Sequence, residues 1–157
     1  MLTITSQRAL AIIFIISLAT LAGAWSFQMW GLDPCHLCLL ERWAYYAAMA
    51  VSFVFLLINA GKRSALYLLA LVMVGSTIFG IYHAGVEWKF WPGPDTCTGG
   101  GNLTGLPDLT KPVVMCDEAA IRILGLSLAG WNAVISAALA IVALAGARRH
   151  GSSSVSQ

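Results

Sequence analysis

Four stretches of the chain carry no charged side chain and are long enough to cross a membrane. A charged group at the bilayer centre costs about 2.5 kcal/mol or more, so spans are expected as charge-free gaps. The four gaps contain 24, 19, 23 and 25 residues, close to the ~20 residues that a spanning helix needs. They lie between Arg8 and Asp33, Arg42 and Lys62, Arg63 and Glu87, and Arg122 and Arg148.

These gaps, with the turn residues between them, predict four spanning helices. The predicted helices cover about 9–29, 39–58, 65–84 and 126–147. Antiparallel helices with short connections form a bundle, so residues 1–150 are expected to be one all-α, four-transmembrane-helix domain. Its two loops on the outer side are predicted at about 30–38 and 85–125, and the Ser-rich residues 151–157 are predicted to be a disordered tail. The first span is too long for the apolar core of a secretory signal, which has 7 to 15 residues.

Composition supports a membrane protein and excludes most soluble classes. Of 157 residues, 59% are hydrophobic and 10% are charged, with a mean hydropathy of +0.79, whereas roughly 25% of the residues are charged in a soluble domain. The net charge of +2 includes no basic cluster long enough to indicate a nucleic-acid partner.

The charges separate by loop and predict the orientation. All seven Asp and Glu residues fall on the side of the short and the long outer loop, together with the basic residues Arg42, Lys89, Lys111 and Arg122. The other side carries only basic residues, namely Arg8, Lys62, Arg63, Arg148 and Arg149. Because short cytoplasmic segments carry the excess of Lys and Arg, both termini are predicted to be cytoplasmic in a bacterial inner membrane, with the two loops in the periplasm.

All four cysteines lie in or beside the predicted periplasmic loops, where disulfides persist. Cys35 and Cys38 form a C-x-x-C motif, and Cys97 and Cys116 bracket a Gly- and Pro-rich stretch. This spacing suggests two pairs, although four cysteines allow three connectivities.

The C-x-x-C motif is predicted to open the second helix. Asp33 fits the N-cap and Pro34 the first helical position, which places Cys35 and Cys38 at the positive end of the helix dipole. That position lowers the pKa of a thiol and favours the reactive thiolate. Arg42 follows Cys38 by four residues and therefore lies on the same helix face, at the predicted outer membrane boundary.

Other interpretations of C-x-x-C fit the sequence less well than redox chemistry. A c-type haem needs His directly after the second cysteine, and a thioredoxin-like motif needs a βαβ context that this chain lacks. A structural zinc site wants four ligands, and only His36 and His83 are available to supplement the sulfurs. A purely structural C-x-x-C disulfide closes too small a loop to stabilise the fold much. Redox chemistry is therefore the favoured function of the C-x-x-C motif.

The second pair has both a structural and a redox interpretation. A Cys97–Cys116 bridge would add roughly 3 kcal/mol of stability in the chain-entropy model. The enclosed segment has little apolar content, so it is expected to be flexible enough to carry a disulfide to a partner and back. Asp117 and Glu118 follow Cys116 and are expected to disfavour its thiolate by like-charge repulsion.

Electrons from two such disulfides need an acceptor. The chain has no dinucleotide-binding, P-loop, haem or iron–sulfur motif. An acceptor dissolved in the bilayer remains, and a quinone fits because it accepts two electrons and partitions near the predicted depth of Cys38 and Arg42.

Three features of the sequence resemble the DsbB family of quinone-linked thiol oxidases. They are the run PCHLCLLER at 34–42, the second cysteine pair in the long loop, and the run LGLSLAGW at 124–131. The resemblance covers essentially the whole chain. It implies a DsbA-like periplasmic thioredoxin-fold partner and a membrane quinone, ubiquinone or menaquinone, since the DsbA–DsbB–quinone system keeps the bacterial periplasm oxidising.

The resemblance also implies a role for each site residue. Reduced DsbA would attack the Cys97–Cys116 disulfide at Cys97, and Cys116 would pass the electrons to Cys35. Cys38 would then face the quinone as a thiolate, assisted by Arg42. His83 resembles a family histidine close to the quinone. Its alternative role is in an interfacial aromatic belt that includes Tyr82, Trp88 and Trp91.

Other functions remain open at this point. One is a related oxidase that serves a dedicated periplasmic partner, and another is a reductive conduit like the vitamin K epoxide reductase family. That family places its C-x-x-C on a late helix, so the order of motifs here argues against it. The third is a non-enzymatic membrane scaffold with two structural disulfides.

Overall fold

Four long helices make up the computed structural model of the chain, which describes residues 4–58, 60–94 and 115–148. They are α1 (Ser6–Met29), α2 (His36–Leu57), α3 (Lys62–Glu87) and α4 (Leu128–Arg148). Each is long and apolar enough to span a membrane, which confirms the predicted all-α, four-helix membrane fold. Cys97, residues 95–114 of the predicted second loop and the predicted tail at 151–157 lie outside the described residues.

The helices begin earlier or end later than the charge-free gaps suggest. The α1 helix begins three residues before the predicted start because the Thr5 hydroxyl caps it, accepting a hydrogen bond from the Arg8 backbone N–H at 3.3 Å. At its other end, α3 continues through Glu87 rather than stopping at about 84. A gap between charges locates the apolar part of a helix, but the caps decide where the helix begins and ends.

A short hairpin precedes the last helix and was not predicted. Strand β1 (Arg122–Ile123) pairs antiparallel with strand β2 (Leu126–Ser127). The two residues of the turn, Leu124 and Gly125, both have positive φ, at 54° and 84°, as tight two-residue hairpins require. The hairpin delays the start of α4 from the predicted 126 to Leu128, where the Ser127 hydroxyl accepts a hydrogen bond from the Gly130 N–H at 3.2 Å.

The two ends of the bundle differ in chemistry. At one end, called here the basic end, lie the start of α1, the start of α3 and the end of α4, with Arg8, Lys62 and Arg148. The Ser6 hydroxyl donates to the Gly146 carbonyl at 2.9 Å there, and the Lys62 ammonium donates to Gln7. The opposite end, called here the cysteine end, holds Cys35, Cys38 and Cys116. The described residues therefore place the cysteines away from the basic residues that were predicted to be cytoplasmic.

Small residues allow the helices to approach closely, as is typical of helix packing in membranes. A Cβ atom at Gly80 of α3 would lie 2.9 Å from the backbone nitrogen of Ala133 in α4. A Cβ atom at Gly146 of α4 would lie 2.5 Å from the Cβ of Ala9 in α1. Large apolar side chains such as Ile15, Leu71 and Ile141 instead point outward and are well exposed, as expected for a surface that faces lipid.

Gly80→Ala should destabilise the bundle, whereas Gly75→Ala on the same helix should not. At Gly80 the added methyl group meets the α4 backbone, while at Gly75 nothing lies within 4 Å of the added atom. We expect Gly80→Ala to lower the free energy of unfolding by about 1–3 kcal/mol and Gly75→Ala to be neutral or stabilising by up to ~1 kcal/mol. Thermal unfolding in one detergent checks both, and equal melting temperatures for the two variants would contradict the close contact.

A buried polar cluster ties the middle of α2 to α3 and α4. The Tyr45 hydroxyl lies 2.7 Å from Asn132 Oδ1 and 2.9 Å from Ser136 Oγ. Ser136 Oγ in turn lies 2.9 Å from Ser76 Oγ. Polar groups at membrane depth need such partners because lipid offers none. Tyr45 and Asn132 also contribute to the wall of the cavity described below.

Candidate redox-active cysteine site

The C-x-x-C motif caps α2 with a sulfur atom. Cys35 is the N-cap, in extended conformation, and its Sγ accepts a hydrogen bond from the Cys38 N–H at 3.1 Å. The predicted N-cap at Asp33 and first helical position at Pro34 are therefore wrong, because the thiol of Cys35 takes the capping role and α2 begins at His36. Both sulfurs still lie at the start of α2, as predicted.

A buried histidine from α3 contacts the first cysteine. His83 Nε2 lies 3.6 Å from Cys35 Sγ, and His83 Nδ1 lies 2.8 Å from Glu41 Oε1. The three side chains form a continuous Cys35–His83–Glu41 chain, in which Cys35 is 5% and His83 1% exposed. A histidine oriented by a carboxylate can stabilise a thiolate beside it.

The pKa of Cys35 is lowered to about 5, chiefly by its hydrogen bond with Cys38. The hydrogen bond and charge of His83 lower it further, while burial acts in the opposite direction. These contacts favour the thiolate form of Cys35. The prediction from the helix dipole gave the right direction for this residue, but the sequence did not reveal the contribution of His83.

Alkylation of Cys35 should titrate near pH 5. In a Cys38→Ser, Cys97→Ser, Cys116→Ser protein, Cys35 is the only thiol, and the serine introduced in place of Cys38 keeps a hydroxyl donor. We expect the iodoacetamide rate to rise with pH through a midpoint far below the ordinary thiol value of about 8.5. His83→Gln should move the midpoint upward because it removes a positive charge. His36→Gln is the matched control, since His36 is not among the groups that shift the Cys35 pKa. A midpoint near the ordinary value in the unaltered background would contradict the prediction.

Arg42 joins α2 to the end of α1. Its guanidinium donates from Nη1 to Gln28 Oε1 at 3.0 Å and from Nη2 to the Ala24 carbonyl at 3.5 Å. These hydrogen bonds hold the charge at the cysteine end, at the predicted membrane boundary. The sequence gave no indication that Gln28 contacts Arg42.

Cys38 and Arg42 share the wall of one cavity. The cavity has a volume of about 370 Å³, within the range of ligand pockets, and it lies among α1, α2, α4 and the segment around the hairpin. Its wall includes Ala24, Phe27, Leu32, Cys38, Arg42 and Trp131. Cys35 and Glu41 also reach it, whereas His83 is not among the described residues of the wall and lies behind Cys35. In the described part of the chain, His83 therefore contacts Cys35 and does not form part of the cavity wall.

Cys116 packs against the C-x-x-C motif. It is 1% exposed, belongs to one buried cluster with Cys35 and Leu37, and is disulfide-bonded. Cys35 and Cys38 are free thiols. Three of the four cysteines predicted to be redox-active, Cys35, Cys38 and Cys116, therefore pack together. The fourth, Cys97, lies outside the described residues.

The acidic residue beside Cys116 is paired. Asp117 forms an ion pair with Lys89, and the hydrogen bond with that ammonium lowers the pKa of Asp117. Lys89 thereby balances part of the negative charge that was predicted to disfavour a Cys116 thiolate. The sequence gave no indication of this pairing, because the two residues stand 28 positions apart.

Glu41 is the main site residue that the sequence analysis left without a role. It stands within the run 34–42 directly before Arg42, yet its function as the partner of His83 depends on a contact across 42 positions of the chain. The available signal was a carboxylate in the predicted second helix, at its membrane boundary beside Arg42. Such a group is expensive in lipid and marks a functional site by default.

Fold and site together define a multi-pass membrane protein with a pair of free cysteines at one end of its bundle. The chain belongs to the DsbB family, since the family described as "Disulfide bond formation protein DsbB" matches residues 6–146. This membership makes the chain a membrane protein of disulfide bond formation and confirms the resemblance seen in its motifs.

Individual relatives agree with the family assignment. A "Disulfide bond formation protein B" of Albidiferax ferrireducens is 29% identical over 88% of this chain and 86% of its own length. One of the same name from Marinobacter nauticus is 26% identical, covering 89% and 90%. An uncharacterized protein of Rickettsia prowazekii is 25% identical, covering 83% and 81%. No solved structure matches the chain.

Proposed function

We propose that the chain is a thiol:quinone oxidoreductase of the bacterial inner membrane that reoxidises a DsbA-like periplasmic partner. Electrons would pass from the partner through Cys97 and Cys116 to Cys35 and Cys38, and then to ubiquinone or menaquinone. The observation that carries this proposal is the packing of disulfide-bonded Cys116 against Cys35, with Cys38 on the wall of the adjoining apolar cavity.

The cavity suits a quinone head group. Its wall is mostly apolar, which suits the ring of a lipid-soluble quinone, and Arg42 adds one fixed cation. A guanidinium is a strong donor to an oxygen that gains negative charge. Cys38 and Arg42 would therefore hold the ring, and the bound quinone would supply the two-electron acceptor. His83 would act from behind, through Cys35.

The first half of the relay is two thiol–disulfide exchanges. The partner's thiolate attacks Cys97, a mixed disulfide forms, and the Cys97–Cys116 bond breaks to leave Cys116 as a thiolate. Cys116 then attacks Cys35, forming a Cys116–Cys35 bond as the Cys35–Cys38 bond breaks. Cys38 leaves as a thiolate at the cavity wall. The packing of Cys116 against Cys35 supports this order.

The second half returns the C-x-x-C pair to its disulfide. The second partner thiol resolves the mixed disulfide, which leaves the partner oxidised, and Cys97 recloses its bond to Cys116 as Cys35 is released as a thiolate. His83 and Glu41 stabilise that thiolate. Cys35 and Cys38 then form a disulfide and together give up two electrons, which leave through the cavity wall at Cys38.

A reconstituted reaction tests the proposal. Purified protein incubated with reduced DsbA and ubiquinone should oxidise DsbA and reduce one quinone for each disulfide made. No electron transfer to quinone would favour a scaffold with structural disulfides, and transfer in the opposite direction would favour a reductive conduit. Turnover only with another periplasmic dithiol would indicate a dedicated partner. Each of these results would overturn the proposal.

We also propose that the cysteine end faces the periplasm and that both termini are cytoplasmic. A membrane-impermeant thiol reagent should label Cys97 in intact spheroplasts after reduction, and it should label Cys116 more slowly because that residue is buried. A cysteine introduced at exposed Ser64, at the basic end, should be labelled only after lysis in a protein that lacks the four native cysteines. The reverse pattern would mean that the chain is inverted.

A further inference from the structure

Three potential metal-binding atoms converge at the cysteine end. The Sγ atoms of Cys35 and Cys38 and a ring nitrogen of His83 all lie within 4.8 Å of one another. Cys35 and His83 are buried and Cys38 is half-buried. These are the sulfur and imidazole ligands that zinc prefers.

The distance between Cys35 and His83 fits tetrahedral coordination. Zinc binds sulfur at about 2.3 Å and imidazole nitrogen at about 2.0–2.1 Å, so two such ligands on a tetrahedron lie about 3.5–3.6 Å apart. The distance between Cys35 Sγ and His83 Nε2 is 3.6 Å. One cation can therefore contact both atoms with little movement of either side chain.

Glu41 prepares the imidazole for this role. Its Oε1 lies 2.8 Å from His83 Nδ1, so in the neutral ring it accepts a hydrogen bond from the Nδ1–H. The lone pair of Nε2 is then directed at Cys35 Sγ. A ligating histidine in a metal site commonly donates its other N–H to a carboxylate in this way. Glu41 itself, on the far side of the ring, would not be a ligand.

We propose that the dithiol form of the protein binds a thiophilic divalent cation such as Zn²⁺ through Cys35, Cys38 and His83, with Glu41 positioning the histidine. Binding displaces any protons that the two sulfurs and His83 Nε2 carry, and it transfers no electron. A water from the cavity side completes the four ligands, as in zinc sites with three protein ligands. The site exists only in the dithiol state, since a Cys35–Cys38 disulfide has no thiolate to offer.

The proposal goes beyond the proposed function and does not depend on it. If the relay operates as proposed, a bound cation would hold both sulfurs as ligands and prevent them from forming their disulfide. Metal binding would then arrest the enzyme in its reduced form. The site itself can be measured without any quinone or thiol partner.

A Co²⁺ titration tests the site directly. A Cys97→Ser, Cys116→Ser protein leaves Cys35 and Cys38 as the only thiols. After reduction, it should bind one Co²⁺ with the visible absorption of tetrahedral cobalt and the near-ultraviolet absorption of cobalt–thiolate bonds. Zn²⁺ should displace the cobalt, and protein oxidised to the Cys35–Cys38 disulfide should give neither absorption.

Two histidine variants separate this site from simple chelation by the C-x-x-C motif. His83→Gln should lose the tetrahedral cobalt spectrum, whereas His36→Gln, which changes the histidine between the two cysteines, should retain it. Glu41→Gln should keep the spectrum and weaken the affinity by about 10–100-fold, the usual effect of losing such a partner. Far-ultraviolet circular dichroism should show the same helix content in all three proteins.

Two results would overturn the proposal. One is equal affinity and an equal spectrum for His83→Gln and His36→Gln, which would mean that the two sulfurs alone bind the metal. The other is no metal binding by the folded dithiol protein. Neither result bears on the relay, because both are obtained without quinone or partner.

Discussion

Cys38→Ser should abolish quinone reduction and still allow a mixed disulfide with the partner. Cys38 lies on the cavity wall, so its sulfur is the proposed exit for electrons, and a serine oxygen cannot replace it. Attack of the partner on Cys97 requires only the second pair, which Cys38→Ser leaves intact. Quinone absorbance and a non-reducing gel with reduced DsbA measure the two steps separately.

Cys97→Ser is the matched control for this experiment. It should remove the mixed disulfide as well as quinone reduction, because it deletes the sulfur that the partner attacks. Quinone turnover by Cys38→Ser at the rate of the unaltered protein would show that Cys38 is not the exit for electrons. Loss of the mixed disulfide in Cys38→Ser would show that the two pairs do not act in the proposed sequence.

The four spans could be predicted from sequence because lipid excludes charged side chains, and the positions of charged residues can be read directly from the sequence. Helix ends were less predictable, since they depend on single caps. Thr5 extends α1 at its start, and the sulfur of Cys35 displaces the expected cap at Asp33. The hairpin before α4 rests on two positive φ angles at Leu124 and Gly125. Gly125 was the available signal, but leucine is an unusual residue for such a turn.

Only the part of the site whose residues are close together in the sequence could be predicted. The C-x-x-C motif and Arg42 lie within one helical start, so their proximity follows from helix geometry. His83 stands 48 residues from Cys35, and its contact with Cys35 and Glu41 exists only because α2 and α3 pack together. Sequence spacing suggested a histidine near the cysteine end, but it did not distinguish a residue of the cavity wall from one that contacts a sulfur from behind.

Arg42→Ala should weaken quinone binding far more than partner binding. The guanidinium lies on the cavity wall, and a hydrogen bond to a charged group contributes about 1.5–3 kcal/mol. At about 1.4 kcal/mol per tenfold, its loss should raise the apparent KM for quinone by roughly 10- to 150-fold. The apparent KM for the partner should change little, because the partner engages the second cysteine pair. Arg42→Lys should restore part of the loss, since it keeps the charge without the two-pronged donor.

A spectroscopic test separates this role of Arg42 from mere anchoring at the membrane boundary. In Cys35→Ser, the Cys38 thiolate has lost its C-x-x-C partner, so with oxidised quinone it should give a visible absorption band by donating charge to the ring. Acid should remove the band by protonating Cys38. Arg42 stabilises the negative charge on sulfur and ring, most strongly where water is excluded, so Arg42→Ala should weaken the band and shift its pH midpoint upward.

Gln28→Met, which removes one hydrogen bond that holds the guanidinium, should produce a smaller change in the same direction. An unchanged band and midpoint in Arg42→Ala, at equal quinone occupancy, would show that Arg42 only anchors the helix.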